Sequence, residues 1–213
     1  MTIEFQSVLP APLSEYPHQS DSVWKRNFSL EFPAKIMLNA SSGKGKTTFV
    51  HTLYGLRFDY EGQILLNGSA IKSMNLHDWI ELRKSSLSVV FQDLQLFGEL
   101  TLWENLLLKN QLTNHKTESE IELMLDRMGI IDKKNQTCGT LSFGQQQRVA
   151  IIRALLQPFE LLLMDEPFSH LDEANASIAL RIIAEETDKN NAGFILTSLG
   201  SKHNFNFDLE LKL

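Results

Sequence analysis

The sequence predicts an α/β fold built on a mainly parallel sheet. Three observations carry that prediction. Strand-like and helix-like segments alternate along the chain, a small-residue loop joins one short apolar strand to a helix, and a second apolar strand ends in two adjacent carboxylates. Taken in order, residues 3–9 and 28–32 read as strands on either side of a polar loop, 14–22. Lys35-Ile36-Met37-Leu38 is a short apolar strand; Ser41 to Gly45 follows as the loop, and a helix over 47–54 is stopped by Gly55. Residues 62–68 form a strand between turn residues, and 87–91 another. From Thr101 to about Asp132 the texture turns helical, with Ile121, Leu123, Met124, Leu125 and Met128 on one side. A helix over 143–156, a buried strand over 161–164, a helix over 174–188 and strands over 193–197 and 207–213 complete the chain. The stretch from about 95 to 158 reads as a helical subdomain inserted into a single domain covering 1–213, with no internal repeat and no linker.

Composition narrows the function classes. At 213 residues the chain fits one domain at roughly 150 residues each. Its 20 Lys+Arg against 26 Asp+Glu give a net charge of −6, which argues against a nonspecific nucleic-acid binder and against nucleic acid as a partner. The single cysteine, Cys138, has no partner for an internal disulfide and reads as a small buried apolar side chain. The most apolar stretch, 149–164, is broken by Arg153, Gln157, Pro158 and Glu160, short of the roughly 18 apolar residues that span a bilayer. The N-terminus lacks the basic start and long apolar run of a signal peptide. A cytoplasmic protein is expected, with any membrane role exerted through a partner.

Two segments carry phosphate chemistry. The first is Ala40-Ser41-Ser42-Gly43-Lys44-Gly45-Lys46-Thr47-Thr48, set between a strand and a helix. Small residues let the chain curl so that backbone N–H groups point inward at phosphate oxygens, and the helix N-terminus adds partial positive charge. Lys46 is placed for the β- and γ-phosphates and the Thr47 hydroxyl for Mg²⁺. The usual first glycine of such a loop is replaced by Ala40. The second segment is Leu161-Leu162-Leu163-Met164-Asp165-Glu166-Pro167. Ligands of open α/β sheets bind at the carboxyl ends of strands, where Asp165 suits Mg²⁺ and Glu166 can polarise an attacking water.

A third segment, Leu141-Ser142-Phe143-Gly144-Gln145-Gln146-Gln147-Arg148, begins a helix that Ser142 can cap. With it the chain resembles the ATP-binding cassette (ABC) ATPases. Gln92 in Val89-Val90-Phe91-Gln92-Asp93 is similar to that family's Q-loop glutamine, and Ser169-His170-Leu171-Asp172 to its D-loop. The stretch through Leu82-Arg83-Lys84, Phe91-Gln92 and Leu102-Trp103-Glu104-Asn105 is most similar to the lipoprotein-release, cell-division and macrolide-exporter group. The resemblance implies a P-loop fold with a RecA-like mixed-sheet core, an N-terminal antiparallel part and an inserted helical subdomain. It implies an ATPase that works as a head-to-tail dimer on an integral membrane permease, at the cytoplasmic face of the membrane. Residue by residue, it implies that Ser41, Ser42, Gly43, Lys44, Gly45, Lys46, Thr47 and Thr48 hold ATP. Ser142, Gly144 and Gln145 complete that site, Ser142 and Gly144 acting from the second copy. Thr47, Gln92 and Asp165 hold Mg²⁺, and Glu166, Lys46, Gln92 and Asp172 serve catalysis. Tyr16 is the candidate for stacking on adenine, with Trp24 in reserve.

Four departures from the family pattern stand out. Ala40 replaces a glycine, Asn39 an apolar strand residue, and Phe143 the first glycine of the signature pair, leaving Gly144 at the close approach to phosphate. The largest is Leu199, which stands where the family has its switch histidine, with His203 four residues on. These departures leave open a second reading, an ATP-dependent dimerising clamp with weak turnover. The other histidines (His18, His51, His77, His115 and His170) show no metal-ligand spacing and read as surface or packing residues. The permease is expected along the Q-loop and the start of the insertion, at Phe97, Leu100, Leu102 and Trp103.

Overall fold

The computed structural model describes residues 1–18, 21–200 and 203–213; Gln19 and Ser20 of the expected polar loop lie outside the described residues. The strands are β1 (Thr2–Pro10), β2 (Asn27–Glu31), β3 (Lys35–Asn39), β4 (Tyr60–Leu66), β5 (Ser69–Ala70), β6 (Leu87–Val90), β7 (Leu161–Asp165), β8 (Gly193–Ser198) and β9 (Leu209–Lys212). The α-helices are α1 (Lys46–Leu53), α2 (Leu76–Ser85), α3 (Leu102–Asn110), α4 (Glu118–Arg127), α5 (Phe143–Ala154) and α6 (Glu173–Lys189). Two sheets result: an antiparallel one in the order β2-β1-β4-β5 and a parallel one in the order β6-β7-β8-β3-β9.

The central strands β7 and β8 are buried on both faces, so they are nearly continuous apolar runs, while the edge strand β9 alternates and is largely exposed. Alternation along each strand sends side chains to opposite sides. Leu161, Leu163, Ile195, Ile36 and Leu38 enter the core shared with α1 and the antiparallel sheet. Leu162, Met164, Phe194, Leu196 and Met37 enter the core shared with α3, α4, α5 and α6. Phe49 of α1 stacks on Phe5 of β1 with ring centroids 5.6 Å apart, tying the two sheets together.

The structure refines one expectation, adds an element to the chain and corrects a third point. The helical texture of 101–132 is two helices, each opened by its own capping box: Thr101 with Glu104, and Thr117 with Glu120. Helix α2 was not foreseen, because only Trp79 of it is buried and no apolar stripe marks it. Leu102 is not on a docking surface. It is 0% exposed, packed in the core around α3 and α5. Trp103 packs partly against the same core under Lys134, whose ammonium sits 3.6 Å from the ring centroid. Of the four residues expected to meet a permease, Phe97 is the one that stands well exposed.

Candidate functional site

The strand order places β8 between β7 and β3, in register, so that Asp165 lies beside Thr197 and Asn39 beside Ser198. Three carboxyl ends therefore open on one crevice: the loop after β3, the carboxylates after β7 and the turn after β8. The loop curls because Gly43 and Gly45 adopt φ of 77° and 97°. Gly45 is the N-cap of α1 and supplies no side-chain cap, which leaves the first N–H groups of that helix for a ligand.

Lys46, 4% exposed, points back across this loop. Its Nζ donates to the carbonyls of Ala40 (2.9 Å) and Ser41 (3.1 Å) and lies 3.2 Å from Glu166 Oε1. The Thr47 hydroxyl donates to Gln92 Oε1 at 3.2 Å. The Thr197 hydroxyl donates to Asp165 Oδ1 at 2.9 Å and accepts the Glu166 N–H at 3.0 Å. Asp165 is 1% exposed, and its other oxygen, Oδ2, is buried without a partner. A cavity of ≈ 330 Å³ brings together Tyr16, Ser42, Gly43, Gly45, Lys46, Thr47, Thr48, Gln92 and Glu166. An adjoining one of ≈ 290 Å³ adds Ser41, Lys44 and Leu199 and again includes Tyr16. Tyr16 is 56% exposed at the mouth of both. Trp24, held in reserve for the same role, is buried edge-on to Phe49, so its ring is closed to a base.

The signature segment lies outside these cavities. Ser142 caps α5, accepting from Gln145 N at 3.3 Å, while Gln145 Oε1 accepts from Ser142 N at 2.9 Å. The carbonyl of Gln145 is thus engaged in the cap. Gly144 answers a need inside the chain: a Cβ there would sit 2.8 Å from the His170 carbonyl oxygen. The segment 169–172 passes close over α5 at this point, so a side chain at position 144 would clash within the chain itself. Asp172 caps α6, accepting from Asn175 N and Nδ2 at 2.8 Å each, and these bonds hold its carboxyl below the usual range. Leu199 is 63% exposed at the lip of the crevice. His203 lines a cavity of ≈ 190 Å³ together with Glu166 and Thr197, its ring edge-on to Phe168 and its Nδ1 3.3 Å from Glu173.

Several residues that position the site were not singled out from the sequence. Buried Gln147 donates to Ser169 Oγ (2.9 Å) and accepts the His170 N–H (3.0 Å), fastening the D-loop to α5. Arg153 donates to the carbonyls of Leu94 and Gln95 at 2.6 Å each, gripping the segment after Gln92. Buried Asn105 exchanges hydrogen bonds with the backbone of Phe97 and reaches Cys138 Sγ at 3.3 Å. Each works across a long stretch of chain, where local pattern gives no signal. Thr197 looked like one more residue of an apolar strand.

Comparison with known proteins gives a consistent picture. The family model described as ABC transporter matches residues 25–169. The lipoprotein-releasing system ATP-binding protein LolD of Treponema denticola is 33% identical over 178 residues, spanning 82% of this chain and 78% of that protein. A probable ABC transporter ATP-binding protein, PEB1C of Campylobacter jejuni, is 31% identical over 176 residues, 81% of this chain and 72% of that one. Among solved structures, a bacterial ABC transporter cassette seen as a dimer superposes with a TM-score of 0.81 at 20% identity, covering 99% of this chain and 94% of that one. A post-hydrolysis cassette dimer bound to ADP and Pi gives a TM-score of 0.76, also at 20% identity, over 92% of this chain and 87% of that one.

Proposed function

The chain belongs to the ABC transporter family, and we propose that it drives a membrane-embedded permease through the crevice at the ends of β3, β7 and β8. It is an ATP-binding, ATP-hydrolysing subunit that acts as a dimer, most similar to the lipoprotein-release group. The finer assignments are our reading. ATP lies along the loop from Ser41 to Thr48, with adenine against Tyr16. The observation that supports this best is the internally satisfied Lys46: its ammonium is already poised over the curled loop, on carbonyl oxygens and on Glu166. An arriving phosphate offers that ammonium a stronger charge-assisted partner and releases Glu166 to face water.

The residues also fit Mg²⁺. Asp165 presents a buried oxygen without a partner, and the Thr47 and Gln92 oxygens lie together in the ≈ 330 Å³ cavity that Glu166 also lines. Hard oxygen donors in small number, completed by substrate phosphates, are what Mg²⁺ takes. Bound there, the ion would offset charge on the phosphates. This chain's own contributions are positioning by the loop, charge from Lys46, and proton acceptance by Glu166. Ser142 and Gly144 face the nucleotide of the second copy, so closure of a homodimer completes each site. We read 95–158 as the inserted subdomain that carries the signature. No helix among the described residues is long and apolar enough to cross a membrane, and we place the subunit on the cytoplasmic face, held there by its permease.

The test is calorimetric titration with MgATP of the parent chain and of Lys46→Ala. Loss of one charge-assisted contact on the phosphates is expected to weaken binding by at least about 10-fold. Equal affinities would remove the loop from the nucleotide site.

A further inference from the structure

The Thr197 hydroxyl is hydrogen-bonded to both carboxylate-bearing residues of the crevice. It is 1% exposed and sits beside Asp165 in the β7–β8 register. A hydroxyl has one proton to donate and lone pairs to accept with. Here the proton goes to Asp165 Oδ1 at 2.9 Å, and a lone pair takes the Glu166 N–H at 3.0 Å. Both bonds have directional consequences. The first fixes the rotation of the Asp165 carboxylate, so that Oδ2 is the oxygen left over, buried and without a partner. The second holds the backbone of Glu166, whose φ of 48° is sparsely populated for a residue with a side chain. That backbone turn aims the Glu166 side chain toward Lys46, 3.2 Å away, instead of continuing the strand.

We propose that Thr197 is a positioning residue for the ATPase reaction, orienting Asp165 toward a divalent cation and Glu166 toward the attacking water through one shared hydroxyl. The inference rests on the assignment of Asp165 to the metal made above. Nothing about the strand itself requires a hydroxyl here. Its neighbours Ile195 and Leu196 are apolar and equally buried, and a valine would fill the same volume. Leu199 offers no polar atom at the turn that follows, and Thr197 touches the carboxylate pair from within β8.

The experiment compares the full chain with Thr197→Val and Thr197→Ser. Binding of a non-hydrolysable ATP analogue is measured in EDTA and with Mn²⁺, and free Mn²⁺ is followed by electron paramagnetic resonance. Steady-state ATPase is measured against Mg²⁺ at saturating ATP. Loss of a residue that orients a metal-binding carboxylate typically costs about 10–100-fold in metal affinity or activity. Thr197→Val is therefore expected to bind the analogue normally in EDTA, to lose about 10-fold or more in Mn²⁺ affinity, and to drop in kcat with little change in KM for ATP. Thr197→Ser, which keeps the hydroxyl, is expected to stay within a few-fold of the parent. The proposal is overturned if Thr197→Val matches the parent, if it weakens analogue binding equally with and without metal, or if serine loses as much as valine. Should the valine variant not fold, serine against the parent still decides, because a serine loss of 10-fold or more overturns the role. A parent chain that binds the analogue but shows no Mn²⁺ uptake would instead sink the metal assignment beneath it.

Discussion

The starts of α1 and α5 are two helix N-termini built to opposite plans. Helix α5 is closed by reciprocal bonds between Ser142 and Gln145, and α2, α3, α4 and α6 likewise carry side-chain caps from Asn75, Thr101, Thr117 and Asp172. Helix α1 alone among the six begins on a glycine with no side-chain cap. An uncapped end costs stability, about 1 kcal/mol where a good cap is missing. The chain tolerates that cost at the one helix whose first N–H groups face the crevice, and avoids it at the end that would serve a neighbour's nucleotide. The lesson is that the in-chain half of the site stores open donors. The end of α5 that we propose is lent to a partner already has its cap made within the chain.

The largest effect should come from the open half. Glu166→Gln keeps the shape of the side chain but cannot accept a proton, so ATPase turnover is expected to fall by about 10²–10⁴-fold with ATP binding retained. Size exclusion with ATP should then show a persistent dimer. A dimer no more stable than the parent's would undo the link between hydrolysis and opening. Next, Gly45→Ala forces a side chain onto a φ of 97° and puts its Cβ 2.6 Å from Leu13 Cδ1. The strain, of order 1–3 kcal/mol, should weaken ATP binding by about 10-fold or more, read by calorimetry. Normal affinity would mean that the curl of the loop does not matter to the ligand.

Leu199→His sharpens the comparison by adding one polar contact at the lip of the open half. Single preorganised contacts on developing charge are worth about 10²–10³-fold at full strength, so a rise of about 10-fold in turnover is a modest expectation for an unrefined site. If turnover does not rise, His203→Ala is the next measurement. A large loss there would show that the histidine facing the Glu166 cavity already holds the role. The smallest effect on stability belongs to the cap of α5. Ser142→Ala removes one cap, for about 1 kcal/mol, and should lower the melting temperature by roughly 2–4 °C. A shift near zero would mean that the cap of α5 is redundant.

Much of the fold around the site was readable along the chain because the small-residue loop, the strand ending in Asp165-Glu166 and the helix opened by Ser142 are contiguous segments with local signals. What escaped depends on who meets whom. Helix α2 left no apolar stripe, since Leu76 and Ile80 face solvent and only Trp79 is buried, although its Asn75–Asp78 capping box was there to be seen. Leu102 looked like part of an exposed patch because sequence alone does not show that α5 packs over it. Gly144 meets a second demand that no local pattern shows, since the His170 carbonyl beside it is many residues away. Thr197 and Arg153 belong to the same class.

The grip of Arg153 has a mechanical consequence. Ser142 stands at one end of α5, and Arg153, one residue from the other end, clasps the backbone at Leu94 and Gln95. Helix α5 has 12 residues, a stiff rod of about 18 Å at 1.5 Å per residue. A pull on the segment after Gln92 is thus delivered to Ser142 as displacement of a solid shaft, with little lost to bending. Because Gln92 also meets Thr47, the same linkage would join the surface we propose for the permease to both halves of the proposed nucleotide site. In the assembly we propose, one displacement of this segment would reach both Thr47 and Ser142.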